Sequence, residues 1–211
     1  MKRIAFVVAL VHLAIVGFAS GLSFGIGGSG SYFKSDAKLT SAVAQTDVIT
    51  ADIPYNLFAY VETTYLQMAV GYRFFNGLTI KGPSGAMDDS SHYSYVSLAG
   101  YVKLPLHLGS VTLIPMIGVE YDITIDAIDG SGVSFTRQQK RDLNALRIKG
   151  GLGAEILFSP SFYFRPEFLF GYQLNNRADQ NTISSYKNSG YDDASILTLN
   201  FELAILFGVK L

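Results

Sequence analysis

The stretch that decides the fold is residues 195–211, SILTLNFELAILFGVKL. From Leu197 onward its odd positions are all large and apolar, while its even positions carry Thr198, Asn200, Glu202, Ala204, Gly208 and Lys210 among only a few aliphatics. A strand sends successive side chains to opposite faces, so one face here is wholly greasy and the other holds a carboxylate and an ammonium. Such a face must be covered by a protein core or by lipid.

Working outward, the same period of two recurs in seven further segments. Residues 22–33 set Leu22, Phe24, Ile26 and Tyr32 against Ser23, Gly25, Gly27, Ser29 and Ser31. Residues 55–62 and 66–74 alternate on either side of Thr63 and Thr64 and predict a hairpin. Further strands are expected over 92–104, turned at 105–109, and over 111–125, 146–158 and 162–174, the last two joined by a tight turn at 159–161. Eight strands make the smallest usual outer-membrane barrel.

The charges then fall on one side only. The polar faces carry Arg73, Lys103, Arg147, Lys149, Arg165 and Lys210, and Glu62, Glu120, Asp122, Glu155, Glu167 and Glu202; the greasy faces carry none. An outward Arg or Lys costs about 2–4 kcal/mol at mid-bilayer, whereas a lumen lets opposite charges pair. The reading is an all-β, eight-stranded antiparallel up-and-down transmembrane β-barrel, lipid outside and a neutral plug inside. The expected lumen network is Arg73, Lys103, Glu120, Asp122, Arg147, Lys149, Glu155, Arg165, Glu167 and Glu202. Glu120, Arg147, Lys149 and Arg165 are expected to reach across the small residues of the first strand toward Glu155, Glu167 and Arg73.

The front of the chain supplies a route to a membrane. Met1, Lys2 and Arg3 form a basic head, residues 4–18 are apolar apart from His12 and Gly17, and Gly17 and Ala19 put small residues at the two positions a signal peptidase reads. That pattern predicts a secretory signal peptide over 1–19, leaving 20–211 as the barrel after Sec export. The run is too short for a membrane-spanning helix. With 16 % charged residues the chain is greasier than a typical soluble domain, and its near-neutral charge points away from nucleic acid. There are no cysteines, so an exported chain has no disulfides to rely on.

Connections alternate in length. Residues 34–52, 76–91, 127–142 and 175–193 read as long polar loops, and the other links as turns, the asymmetry of outer-membrane barrels with loops outside. Tyr32, Tyr55, Tyr72, Phe74, Tyr121 and Tyr172 are then expected at the outer membrane interface, and Phe158, Phe162, Phe164 and Phe207 at the inner one.

From Leu22 to Leu211 the pattern resembles the small outer-membrane barrels: the transmembrane domain of OmpA, the opacity-type surface proteins and OmpW. The resemblance implies the outer membrane of a diderm bacterium and a monomer in contact with outer-membrane lipid. It also implies assembly by the barrel machinery through the C-terminal strand, here ending Phe207, Val209, Leu211, and loops that meet a host or environmental ligand. A charged lumen is closer to the OmpA type than to OmpW, whose interior is apolar. The first function expected is structural or surface recognition, without enzymatic activity; the second is a narrow conduit for small or hydrophobic solutes.

Chemistry is sparse. Histidines stand only at 12, 92 and 107, too few for a metal cluster, and no cofactor motif is present. Residues 129–132, DGSG, lack the distal Glu of a calcium loop and read as a turn. His92 and Ser94 resemble the His-x-Ser pair of lipid A deacylase barrels, a distant alternative. That chemistry needs an acid on the same face of the neighbouring strand, and Glu120 and Asp122 point inward in this register.

Overall fold

The computed structural model describes residues 21–40, 45–82, 85–174 and 193–211. The expected signal peptide and the whole span 175–192 lie outside them. Ten strands form one antiparallel sheet: β1 (Ser23–Thr40), β2 (Gln45–Asp52), β3 (Tyr55–Glu62), β4 (Leu66–Gly82), β5 (Gly85–Lys103), β6 (Leu106–Leu108), β7 (Val111–Ile128), β8 (Ala145–Leu157), β9 (Phe162–Gln173) and β10 (Asp193–Lys210). β10 returns to pair with β1 from Ser23 opposite Lys210 to Thr40 opposite Asp193, and the sheet closes on itself.

The ten strands make eight staves. β2 and β3 pair with β1 in one continuous register, Phe33 opposite Asp52 and Gly30 opposite Tyr55, and are separated only by Ile53 and Pro54. β5 and β6 likewise both pair with β7 and are separated by Leu104 and Pro105. Proline has no N–H to give the ladder, and these two staves are interrupted at Pro54 and Pro105, whereas Pro115 and Pro166 are accommodated inside β7 and β9. Pro54 still accepts from Ser31 N at 2.9 Å.

Two of the expected loops are strand instead. β1 and β2 continue as paired strands through most of 34–52, and β4 and β5 through most of 76–91, with β2 also pairing β4 at Ile49–Ala51. The barrel wall therefore rises beyond the aromatic level on that side. Alternation fails there because polar residues stand at both odd and even positions of the sequence, which removes the period-two signal without removing the backbone hydrogen bonds. The turn predicted at 105–109 also moves: β6 carries the strand to Leu108, and Gly109, at φ +65°, makes the bend.

The third connection holds a short helix, α1 (Arg137–Asp142), that apolar periodicity did not reveal. Its signal was a capping box: Thr136 Oγ1 accepts from Gln139 N at 3.3 Å and Gln139 Oε1 from Thr136 N at 2.9 Å. Before it, Asp129 Oδ1 accepts from Ser131 N, Ser131 Oγ and Val133 N at 3.0, 2.7 and 2.9 Å. These bonds, from the Ser131 hydroxyl first, hold the Asp129 carboxyl below its usual range and spend it on its own turn.

Outside, the wall is apolar. Ile26, Leu57, Met68, Val70, Ile117, Val119, Leu152, Phe168 and Leu203 are all exposed, and among the described residues no charged side chain shares their band. Tyr55 and Tyr72 cluster with Phe74 at ring separations of 6.0 and 6.4 Å; Phe158 and Phe207 cluster with Phe164 at 6.2 and 5.3 Å toward the short-turn end. An inverted protein of this kind, with its oil outside and its charges inside, is the architecture of a membrane barrel.

Candidate functional site: two ion-paired layers in the lumen

Alternation on eight staves converges the polar faces on one axis, and register sorts the charges into two levels. Toward the long-connection end stand Arg73 from β4, Glu120 and Asp122 from β7, Arg147 and Lys149 from β8, and Glu202 from β10, all buried. Glu120 lies directly across the ladder from Arg147. Its Oε1 accepts from Arg73 Nη1 at 2.9 Å and Arg147 Nη1 at 3.2 Å, and its Oε2 from Arg73 Nη2 at 3.0 Å and Lys149 Nζ at 2.7 Å. Asp122 accepts from Arg73 and Arg147, and Glu202 from Lys149 at 2.6 Å and Ser31 Oγ at 3.1 Å. The ring of Phe33 covers this layer, 4.6 Å from the Arg147 guanidinium carbon and 5.8 Å from that of Arg73.

The second level lies toward the short turns and centres on Glu62. Arg165 grips it with two parallel bonds of 3.0 and 2.8 Å, Lys103 Nζ donates at 2.5 Å and Tyr163 OH at 2.5 Å. Arg165 also donates to Glu167 at 2.8 Å and to Gln67 Oε1 at 2.7 Å, and lies 3.7 Å from Glu155, which Lys210 reaches at 2.6 Å. Each level holds three cations and three carboxylates, so each is neutral by itself. A buried charge without a partner would cost several kcal/mol, and this count avoids that.

The levels differ in completeness. In the upper one Arg73 Nε, Arg147 Nε and Asp122 Oδ1 are buried without a hydrogen-bond partner, as are both side-chain polar atoms of Asn200. No atom of the six lower charged residues is in that condition. Between them Tyr101, Met116 and Leu169 pack as an apolar slab, and a cavity of about 20 Å³ remains, bordered by Glu120, Glu202, Gln67 and Glu167. That holds roughly one water. Below the lower level a vestibule of about 260 Å³ opens at the short-turn end, lined by Glu62, Lys103, His107, Glu155 and Lys210.

No protein-family model matches the chain, and no curated protein does. Among solved structures it is similar to Neisserial surface protein A, NspA, at 11 % identity over 89 % of this chain and 97 % of that one, TM-score 0.48. It is also similar to Ail, the attachment invasion locus protein of Yersinia pestis, solved with the heparin analogue sucrose octasulfate, at 15 % identity over 90 % and 99 % of the two chains, TM-score 0.35. The outer membrane protease OmpT of Escherichia coli is a third, at 8 % identity over 90 % and 97 %, TM-score 0.37.

All ten residues of the expected network are buried in the lumen, but their partners differ from expectation. Glu120 meets Arg73, and Arg165 meets Glu167 and approaches Glu155, whereas Arg147 and Lys149 pair with Glu120, Asp122 and Glu202. Glu62, the hub of the lower level, was absent from that network although its parity was plain. The space along β1 is also filled differently. A Cβ on Gly27 would lie 2.5 Å from Phe58, and one on Gly208, across the seam on β10, 2.2 Å from Tyr163 and 2.5 Å from Tyr60. Aromatic rings, joined by a 2.9 Å bond between the Tyr60 and Tyr163 hydroxyls, occupy the wall that long charged chains were expected to cross.

One further expectation is corrected. A bulge between Ser94 and Tyr95 in the β5–β7 pairing brings Asp126 opposite Ser94, so an acid does share that face. Its carboxylate is bonded to Lys140 at 2.8 Å, and among the described residues no hydrogen bond joins it to His92 or Ser94.

Proposed function

We propose that the chain is a closed outer-membrane barrel of a diderm bacterium, delivered by Sec export, whose lumen is plugged and whose long connections form a structural or recognition surface. The observation that carries this is the pair of neutral, ion-paired levels in series, with room for about one water between them. A solute crossing the barrel would have to strip partners from buried charges twice. The C-terminal strand, which closes the seam on β1, is the part offered to the assembly machinery, and the surface-facing connections are the part offered to a host or environmental ligand. The barrel works as a monomer and takes no nucleic acid.

The second reading, a narrow conduit, is favoured by the vestibule at the short-turn end, which already brings solvent up to Glu62 and Lys103. Planar-bilayer recording separates the two. The wild type should be silent; Arg147→Ala alone should leave the lower level shut, and Arg147→Ala with Arg165→Ala should conduct. Steady wild-type conductance that neither variant changes would establish the conduit.

A further inference from the structure

The loop carrying α1 folds back on the outside of the barrel and leaves a groove of about 460 Å³ between the helix and the outward side chains Ile123 and Ile125. Its other lining includes Arg137, Lys140, Arg141 and Asn144. Depth is set by Tyr121 of the outer aromatic level, whose hydroxyl accepts from Asn144 Nδ2 at 3.3 Å. The groove is therefore half lipid-facing isoleucine and half cation, at the height where a bilayer changes from acyl chain to head group.

Among the described residues neither nearby acid is paired with the two guanidiniums. Asp126 takes Lys140 at 2.8 Å, and Asp142 accepts from Gln138 Nε2 at 3.0 Å. Arg137 and Arg141 are exposed, and among the described residues neither has a carboxylate within salt-bridge distance. Two guanidiniums without counter-charges, beside an apolar wall, match a molecule that carries phosphate at one end and hydrocarbon at the other.

We propose that this groove seats the phosphate-bearing head group of an outer-leaflet lipid, with Arg137 and Arg141 on the phosphate and an acyl chain along Ile123 and Ile125. The assignment rests on the outer-membrane reading above. Phosphate is the fitting group because it accepts forked guanidinium bonds; Lys140, already paired with Asp126, is not needed for it. A lipid bound here would also brace a loop whose only helix is six residues long.

The chain has no tryptophan, so one introduced indole reports alone. Full-length protein carrying Ile125→Trp is folded into phosphatidylcholine vesicles containing a fixed fraction of either brominated phosphatidic acid or brominated phosphatidylcholine; Leu152→Trp, on the lipid face of β8, is the control. Local enrichment of about fivefold per uncompensated guanidinium at low salt is expected from the charge alone. Quenching at position 125 should thus be several times stronger with the phosphatidic acid, and equal for both lipids at 152. Arg137→Gln with Arg141→Gln should abolish the preference, and Arg137→Lys with Arg141→Lys should keep most of it.

Equal quenching at 125 by the two lipids would overturn the proposal. So would an absence of lipid preference accompanied by an emission change of the position-125 indole on adding millimolar inorganic phosphate but not chloride at matched ionic strength, which would assign the groove to a soluble anion, or quenching lost as protein density rises, which would assign it to a second copy. If neither lipid quenched either indole, the membrane reading itself would fail, an outcome distinct from the others.

Discussion

Arg165 is the residue whose removal the lumen should tolerate least. Its side chain is 0 % exposed and supplies two bonds to Glu62, one to Glu167 and one to Gln67. In Arg165→Met, Glu62 keeps Lys103 and Tyr163, but Glu167, buried on β9, loses its only hydrogen-bond partner among the described residues. Orphaning a buried carboxylate costs about 3–5 kcal/mol. Taking the acid away as well, in Arg165→Met with Glu167→Met, restores the balance of the level and should recover about 2 kcal/mol, the size of coupling seen between directly paired groups. Glu167→Met alone leaves Arg165 with Glu62 and Gln67 and should cost roughly 1 kcal/mol. Urea unfolding in lipid vesicles, followed by the gel mobility of the unheated barrel, measures all three. A single-variant cost below about 1 kcal/mol, or a double variant weaker than Arg165→Met, would refute the claim that these charges hold one another in place.

The remaining predictions use the same barrel. Leu152→Arg, at a position 45 % exposed on the lipid face, should block insertion at a cost of about 2–4 kcal/mol, whereas Lys149→Met should insert and unfold more easily, because Glu202 falls back on Ser31 and a 3.5 Å contact with Arg73. Equal folded fractions in vesicles would show that the phase of β8 is misread. Gly25→Ala should destabilise by about 1–3 kcal/mol in the same urea assay, since its Cβ would meet the Phe207 carbonyl oxygen at 2.1 Å and backbone cannot step aside. Val133→Cys, in the third connection, should react with an impermeant thiol reagent on intact cells, while Ser161→Cys should stay silent until the envelope is opened; the chain's lack of native cysteine keeps the background clean. Labelling only at Ser161 would turn the barrel upside down.

Much of this molecule is legible in one dimension because a strand's side-chain period is two and the apolar residues fix its phase. Leu152 and Lys149 stand on opposite faces whatever the rest of the chain does, and so do Phe168 and Arg165. Parity alone thus placed the charges of both levels in the lumen and most large aliphatics in the lipid, with Ile114, Met116, Leu169 and Leu206 buried at lumen parity as exceptions, and the number of alternating segments set the size of the barrel. Where both faces are polar, parity says nothing. The strands of 34–52 and 76–91 look like loops in sequence because they have no greasy face, and only their backbone pairing reveals them.

Partner choice within the lumen belonged to the tertiary structure. Which carboxylate an arginine meets depends on the height of each residue along the barrel axis, set by the cumulative register of eight staves and by bulges such as the one at Ser94. Glu62 and Arg165 are 103 positions apart, yet share a level because the seam joins β10 to β1. A one-residue slip at any ladder would preserve the binary pattern elsewhere and still exchange the partners. The sequence thus determined which side of the wall each residue faces, a local property of the backbone. The closed sheet decided which residues stand level with one another, a sum over every strand pairing around the barrel.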